Sequence, residues 1–381
     1  MRELIRLFLK LGFTAFGGPA AHIAMMKDEV VARRHWMSEA EFLDLLGATN
    51  LIPGPNSTQM AIHIGYRRAG WAGLIAAGIC FILPAAAIVL LCAWAYKQYG
   101  NLPQAQAILY GVKPVIIAIV VYAIWGLVRS AVKNWFLAAL GIAVVPLALV
   151  GVDVLVLLFA AGAVSAGRFS ISSPKSRRGL LGVFAISAAM IAVPDTLTRL
   201  GSPSTSQPYS ASALFAFFLK VGMTLYGGGY VLIAFLRDGL VHQWHWLTEP
   251  QLLDAIAVGQ FTPGPLFTTA TFVGYLVGGV AGAVMATIAI FLPSFILIAI
   301  SGPLVPLLRR SQLAGAFLDG VNVSALALMA AVTVQLGRAA LVDAWTPVIT
   351  VVALVLLLQF RINSVWLICA GALCGSIIKL L

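Results

Sequence analysis

The eleven residues FLKLGFTAFGG beginning at Phe8 return as FLKVGMTLYGG beginning at Phe218, an offset of 210. The register persists through Asp28 and Asp238, His35-Trp36 and His245-Trp246, Asp44 and Asp254, and Pro53-Gly54-Pro55 and Pro263-Gly264-Pro265. Without a gap, residues 8–60 and 218–270 share 20 identities in 53 positions. After a one-residue deletion Pro84 falls on Pro293 and Gly111-Val112 on Gly320-Val321. Such self-similarity demands a fold that accommodates one unit twice. The chain divides into a first unit at 1–166, a connection at 167–211 and a second unit at 212–381.

Each unit is too apolar for a water-soluble core. Hydrophobic residues make up 61% of the 381 and charged residues only 10%, whereas soluble domains carry about a quarter charged. Apolar runs long enough to cross hydrocarbon, roughly 20 helical residues, follow one another along the chain, and the short alternation of a membrane barrel is missing. The expected fold is all-α, a polytopic helical membrane protein of about 12–13 hydrophobic segments in contact with lipid. The net charge of +11 is scattered through short connections and forms no stripe for nucleic acid. The four cysteines have no metal-ligand spacing, no pattern calls for a cofactor, and no catalytic triad or nucleotide loop is present; an enzyme is not expected.

Short basic connections tend to stay cytoplasmic. Arg67 and Arg68 follow the first Pro-Gly-Pro segment where the second unit has an uncharged LVGG, and the next connection reverses this, with Lys97 alone against Arg309 and Arg310. Corresponding loops are therefore expected on opposite sides, and one extra segment at 179–194 supplies the odd crossing that inversion needs. Six plus one plus six is the simplest count, which a re-entrant hairpin at a broken segment would alter. Inverted repeats with broken helices commonly bind substrate near the pseudo-symmetry plane.

The breaks lie at 4–26 and 40–66 and at matching places in the second unit. Asn50-Leu-Ile-Pro53-Gly54-Pro55-Asn56-Ser57-Thr58-Gln59 sets a rigid breaker before a restarted helix, whose free N–H groups at membrane depth suit an anion. Its counterpart offers Pro263, Gly264, Pro265, Thr268 and Thr269 without equivalents of Asn56 and Ser57. The competing reading is a structural kink whose polar groups cap helix ends. The second pair of breaks, Gly17-Gly18 and Gly227-Gly228-Gly229, follows Lys10 and Lys220 by about two helical turns. Each lysine could face the same cavity or snorkel to the headgroups, and each glycine run suits a backbone-lined site or a hinge. Asp28, Asp44, Asp238 and Asp254 recur in both units and are candidates for coupling or gating.

FGGPAAHIAMMKDEVV from Phe16, NLIPGPNSTQMAIHIGYRRAGWAGLIAAGICFILPA from Asn50, YGGGYVLIAFL from Tyr226 and FTPGPLFTTATFVGYLVGG from Phe261 together resemble the chromate ion transporter family in its long two-domain form. The resemblance implies a multi-pass inner (plasma) membrane protein that exports chromate, driven by the membrane potential or a proton gradient. It falls on Gly17, Gly18, Pro53, Gly54, Pro55, Asn56 and Ser57, and on Gly227, Gly228, Pro263, Gly264 and Pro265. Sulfate, a tetrahedral dianion of similar size, is the alternative substrate, with protons or another counter-ion as coupling partner. A passive anion channel is the alternative mechanism, and a flat exposed seam would suit a homodimer.

Overall fold

The computed structural model describes residues 1–16, 18–172, 210–226, 229–360 and 362–380. Gly17, Gly227, Gly228 and the expected extra segment at 179–194 lie outside the described residues. Everything described is helix, turn or connection, and the helices recur in the same order in both units. The first unit holds α1 (Arg2–Thr14), α2 (Gly18–Lys27) continued by a π-helical segment (Asp28–Arg33), α3 (Glu39–Thr49), α4 (Asn56–Tyr99), α5 (Pro103–Ala131), α6 (Trp135–Leu149) and α7 (Val154–Ser172). The second holds α8 (Ala211–Thr224), the short α9 (Leu232–Leu236) continued by a π-helical segment (Arg237–Gln243), α10 (Glu249–Phe261), α11 (Thr269–Arg310), α12 (Gln312–Ala340), α13 (Trp345–Phe360) and α14 (Ser364–Leu380).

Local chemistry repeats with the helices. Ser38 and Thr248 each close a capping box, with Glu41 and Gln251, at the start of α3 and α10. His35 and His245, in the preceding turns, both adopt left-handed backbone, φ 50° and 55°, which histidine enters more readily than most side chains. The 44-residue α4 and 42-residue α11 are each bent double, at Ala69-Gly70 and at Gly278-Gly279. Gly70 and Gly279 supply the positive φ. The arms then meet backbone to backbone: a Cβ on Gly65 would lie 2.3 Å from Gly73 O, and one on Gly274 2.4 Å from Gly282 O.

The first two apolar segments of each unit do not cross as single helices. Lys10 on α1 meets Glu29 at 2.8 Å, so α1 and the α2 segment run antiparallel. Arg67 on the first arm of α4 meets Glu41 on α3 at 3.0 Å, and Asn56 Nδ2 donates to Asn50 Oδ1 at 2.9 Å, so this pair turns back at Gly54. In the second unit Phe217 packs on Gly239, and Gly259 on Thr269, in the same antiparallel sense. With arms of 13 residues in α1 and 11 in α3, about 20 Å and 16 Å long, each is shorter than the roughly 30 Å hydrocarbon core. Each of these segments is therefore a helical hairpin and not one straight helix, with Pro-Gly-Pro reversing the chain at Gly54 and Gly264.

Five helices among the described residues are long and apolar enough to cross a membrane: those over Asn56–Tyr99, Pro103–Arg129, Val154–Ile171, Leu266–Ile300 and Gln312–Ala340. The long helices interleave the units. Ala107 and Gly111 of α5 pack against Gly375 and Gly371 of α14, and Ser324 Oγ and Gly320 of α12 reach Leu157 and Ala161 of α7; both pairs run antiparallel. Two polar contacts fasten the ends of α5 and α12, Tyr110 to Asp343 at 2.6 Å and Lys133 to Asp319 at 2.6 Å. The Tyr110 hydrogen bond holds the carboxyl of Asp343, in the connection after α12, below the usual carboxylate range. Trp94, Trp125, Trp135, Trp345 and Trp366 are all exposed, and the free cysteines are half-buried or, for Cys374, exposed.

Candidate functional site

Four hairpin tips converge where the units meet. Pro53-Gly54-Pro55 turns the chain because the prolines withdraw two backbone donors and fix φ, while Gly54 takes φ +124°. The remaining donor, Gly54 N–H, crosses to the other unit and bonds Leu225 O at 2.8 Å. Gly264 N–H, 210 residues later, bonds Ala15 O at 2.9 Å. Each Pro-Gly-Pro tip of one unit is thus tied to the end of the first hairpin helix of the other, at Leu225 or Ala15. No side chain fits between them: a Cβ on Gly54 would lie 2.7 Å from Gln59 Nε2 and 2.8 Å from Ser294 Oγ, and one on Gly264 2.6 Å from Ala85 Cβ.

The matched prolines Pro84 and Pro293 support this centre. Each removes an N–H within its long helix and leaves the carbonyl four residues back free, and each ring packs on a hairpin glycine. A Cβ on Gly12 would lie 2.9 Å from Pro84 Cγ and 3.0 Å from Cys80 O, while one on Gly222 would lie 3.1 Å from Pro293 Cγ. The helix that restarts at Asn56 carries no side-chain cap, so its first N–H groups are available at the tip. Ser57 and Thr58 are buried there, Asn56 is half-buried and Asn50 is exposed. In the second unit a 3-10 turn, Leu266–Thr268, precedes the helix, and the Thr268 and Thr269 hydroxyls donate to Pro265 O and Leu266 O. Gly18 and Gly229 are half-buried and buried at their tips.

The lysines and aspartates stand away from the tips. Lys10 neither faces the tip nor is free to snorkel, because Glu29 holds it, joined there by Arg34 at 3.1 Å. Lys220 is half-buried on the matching turn of α8, where Glu29 has become Gly239. Asp28 pairs with Arg33 at 2.8 Å, and Asp238 accepts from Gln243 at 3.0 Å. Asp44 is exposed on α3. Its match Asp254 is buried, 3.1 Å from Lys113 Nζ on α5 and 2.9 Å from Tyr96 Oη on α4. Gln59, Ser294, Glu29, Lys113 and Tyr96 escape the sequence reading. Gln59 closes the Pro-Gly-Pro motif and Ser294 follows a recurrent proline, two signals that could have found them.

Among the described residues no cluster of histidine, cysteine and carboxylates could hold a metal ion. The tips can offer backbone N–H groups, hydroxyls and amides, the chemistry of oxyanion recognition.

Comparison with known proteins agrees with this chemistry. A family model described as chromate transporter matches twice, at residues 2–166 and 212–376. The chain is 33% identical to the chromate transport protein of Cupriavidus metallidurans, over 98% of this chain and 91% of that protein. It is 34% identical to the probable chromate transport protein of Synechococcus elongatus, over 93% of this chain and 89% of that protein. It is 32% identical to the chromate transport protein of Pseudomonas aeruginosa, over 88% and 81%. No solved structure matches. A multi-pass helical membrane protein in which the family model recurs, and which aligns with these transport proteins over nearly its whole length, belongs to the chromate transporter family.

Proposed function

We propose that the protein exports chromate across the inner (plasma) membrane of the cell, binding the dianion at the four hairpin tips and exposing that site alternately to either side. The reading rests on one observation, the reciprocal bonds from Gly54 N–H to Leu225 O and from Gly264 N–H to Ala15 O, which bring the Gly-Gly and Pro-Gly-Pro motifs of opposite units to one centre. The substrate is carried over from the related chromate transport proteins of Cupriavidus metallidurans and Pseudomonas aeruginosa. Asn50, Asn56, Ser57 and Thr58, with the N–H groups beside them, form the richer half of the site; Gly17, Gly18, Gly227, Gly228, Gly229, Thr268 and Thr269 complete it. The units, 1–166 and 212–381, are inverted repeats joined by 167–211. The antiparallel contact of α5 with its equivalent α12, Tyr110 reaching Asp343 and Lys133 reaching Asp319, supports this, because equivalent helices then point opposite ways. Two bonds spanning the centre favour a gated carrier over a continuously wetted pore. The energy source is the proton gradient or membrane potential, with Asp28, Asp44, Asp238 and Asp254 as the coupling or gating carboxylates.

The test is uptake of radiolabelled chromate into inside-out vesicles, with each gradient imposed separately and sulfate as competitor, for the intact protein and Asn56→Ala. Gradient-dependent accumulation that falls in the variant is expected. Full competition by sulfate at equal concentration would move the substrate to oxyanions generally, and no accumulation by inserted, folded protein under any gradient would remove chromate export.

A further inference from the structure

Buried polar atoms without partners collect at one of the two Pro-Gly-Pro tips. Thr58 Oγ1, Gln59 Oε1 and Ser294 Oγ are buried with no hydrogen-bond partner among the described residues. Both Gln59 and Ser294 converge on one point, the vacant Cβ position of Gly54, at 2.7 and 2.8 Å. Gln59 Nε2 donates one hydrogen to Pro53 O at 2.6 Å and keeps a second. Directly after this point begins the uncapped helix at Asn56, whose arm runs to the bend at Ala69.

The matched tip keeps one buried group without a partner, Gln260 Nε2 on the helix leading into it, but its threonine hydroxyls are all met. Where the first tip has Gln59 the second has Thr269, satisfied by Leu266 O; where it has Thr58 the second has Thr268, satisfied by Pro265 O; and the residue facing Gly264 is Ala85 instead of a serine. A buried hydroxyl without a partner costs roughly 1–3 kcal/mol, and folded proteins rarely keep several together without a use. Sequence alignment of the units makes the contrast specific: the same backbone carries unmet hydroxyls, those of Thr58 and Ser294, at one tip only.

We propose that Ser294, with Thr58 and the second N–H of Gln59, is a substrate-binding residue contributed by the second unit to the first unit's tip, so that one tetrahedral dianion binds per chain, held by neutral donors. This rests on the transport reading above and deepens it. The Ser294 and Thr58 hydroxyls rotate to donate to the dianion, the helix beginning at Asn56 turns its free N–H groups on the same oxygens, and no side-chain cation takes part. Ala85 leaves the symmetry-related tip without a counterpart of the Ser294 hydroxyl.

The experiment measures equilibrium binding of radiolabelled chromate, and of radiolabelled sulfate, to the purified full chain, together with its melting temperature. Ser294→Ala is expected to weaken dianion binding roughly tenfold to a hundredfold, the effect of losing one hydrogen bond to a charged ligand. Its melting temperature without ligand should be unchanged or higher, because an unmet buried hydroxyl has gone. Ala85→Ser, the mirror substitution, should leave affinity unchanged. Equal affinity in Ser294→Ala and the intact protein, or equal losses from both substitutions, would overturn the proposal. Should Ser294→Ala not fold, the near-isosteric Thr58→Val carries the same expectation. If the intact protein binds neither dianion, the transport reading itself fails, a result distinct from intact binding that Ser294→Ala does not alter.

Discussion

The hairpins of the two units are alike in sequence and unlike in setting. In the first unit α1, α2 and α3 pack chiefly on α4 and form a small separate core around Phe8, Leu11, Met26, Phe42 and Phe81. In the second unit α10 also packs on α5, α12 and α14, and its apolar residues merge with the main core. Matched faces show the contrast directly. Leu43, Asp44 and Asn50 on α3 are exposed, whereas Leu253, Asp254 and Gln260 on α10 are buried. The clamp between the hairpin bases differs likewise. Lys27 pairs with Glu39 in the open, side chains 42% and 62% exposed, while Arg237 pairs with Glu249 at 2.6 Å with 13% and 25% exposed and is also held by Gln335 on α12. The residues that receive the two faces differ as well: Lys113, which holds Asp254, has Asn322 as its counterpart. The first unit's hairpins rest on α4, and the second unit's are docked more deeply, against α5, α12 and α14 besides.

The comparison would be broken most decisively at the docked face. Lys113→Ala leaves the Asp254 carboxylate buried without its cation, which should cost about 3–5 kcal/mol; Asp44→Asn, at the matched exposed position, should cost no more than about 0–1 kcal/mol, the range of a solvent-exposed charge interaction. Thermal unfolding of both variants in the same detergent checks this, and similar losses would mean that the two faces are equivalent in solution. A smaller effect is expected at the clamps. Arg237→Ala should cost about 2–3 kcal/mol through the stranded, partly buried Glu249 and Gln335, against about 0–1 kcal/mol for Lys27→Ala. Urea or thermal midpoints that rank the two the other way would contradict the docked assignment. The gentlest probe is chemical: in a chain freed of its native cysteines, Asp44→Cys should react with a water-soluble maleimide roughly tenfold faster than Leu253→Cys, the order of protection expected from a locally closed face. Equal rates would show that the hairpins exchange settings quickly, and a rate at Asp44→Cys that falls when chromate is added would tie the exchange to the substrate.

Much of this was legible in the residues. The duplication, the helical membrane class and the two kinds of break follow from motifs that recur at an offset of 210, because chain reversal needs glycine and proline at fixed places whatever surrounds them. Whether a break kinks a crossing or turns it back was not legible, since a mostly apolar segment at 4–26 satisfies either geometry until Lys10 is seen to meet Glu29. The Lys113 to Asp254 pair joins residues with no local pattern between them, and its partner across the duplication, Asn322, gives no hint of it. Ser294 was hidden for a different reason: a single hydroxyl in an apolar helix is unremarkable until Gly54 is found facing it. The unequal docking of the hairpins could not be read at all, because Asp44 and Asp254 stand in nearly the same words.

The reciprocal bonds at the tips have a mechanical consequence. Both use backbone atoms alone, Gly54 N–H to Leu225 O and Gly264 N–H to Ala15 O, so neither depends on a side chain that could swing aside. Shear of one unit past the other would stretch both together, each worth more in a dry interior than the ~1 kcal/mol net of an ordinary hydrogen bond in water. Tilting about the line that joins them stretches neither. The pair therefore acts as a fulcrum for the tips: of the relative motions open to them, tilt about that line is the one the two bonds do not oppose.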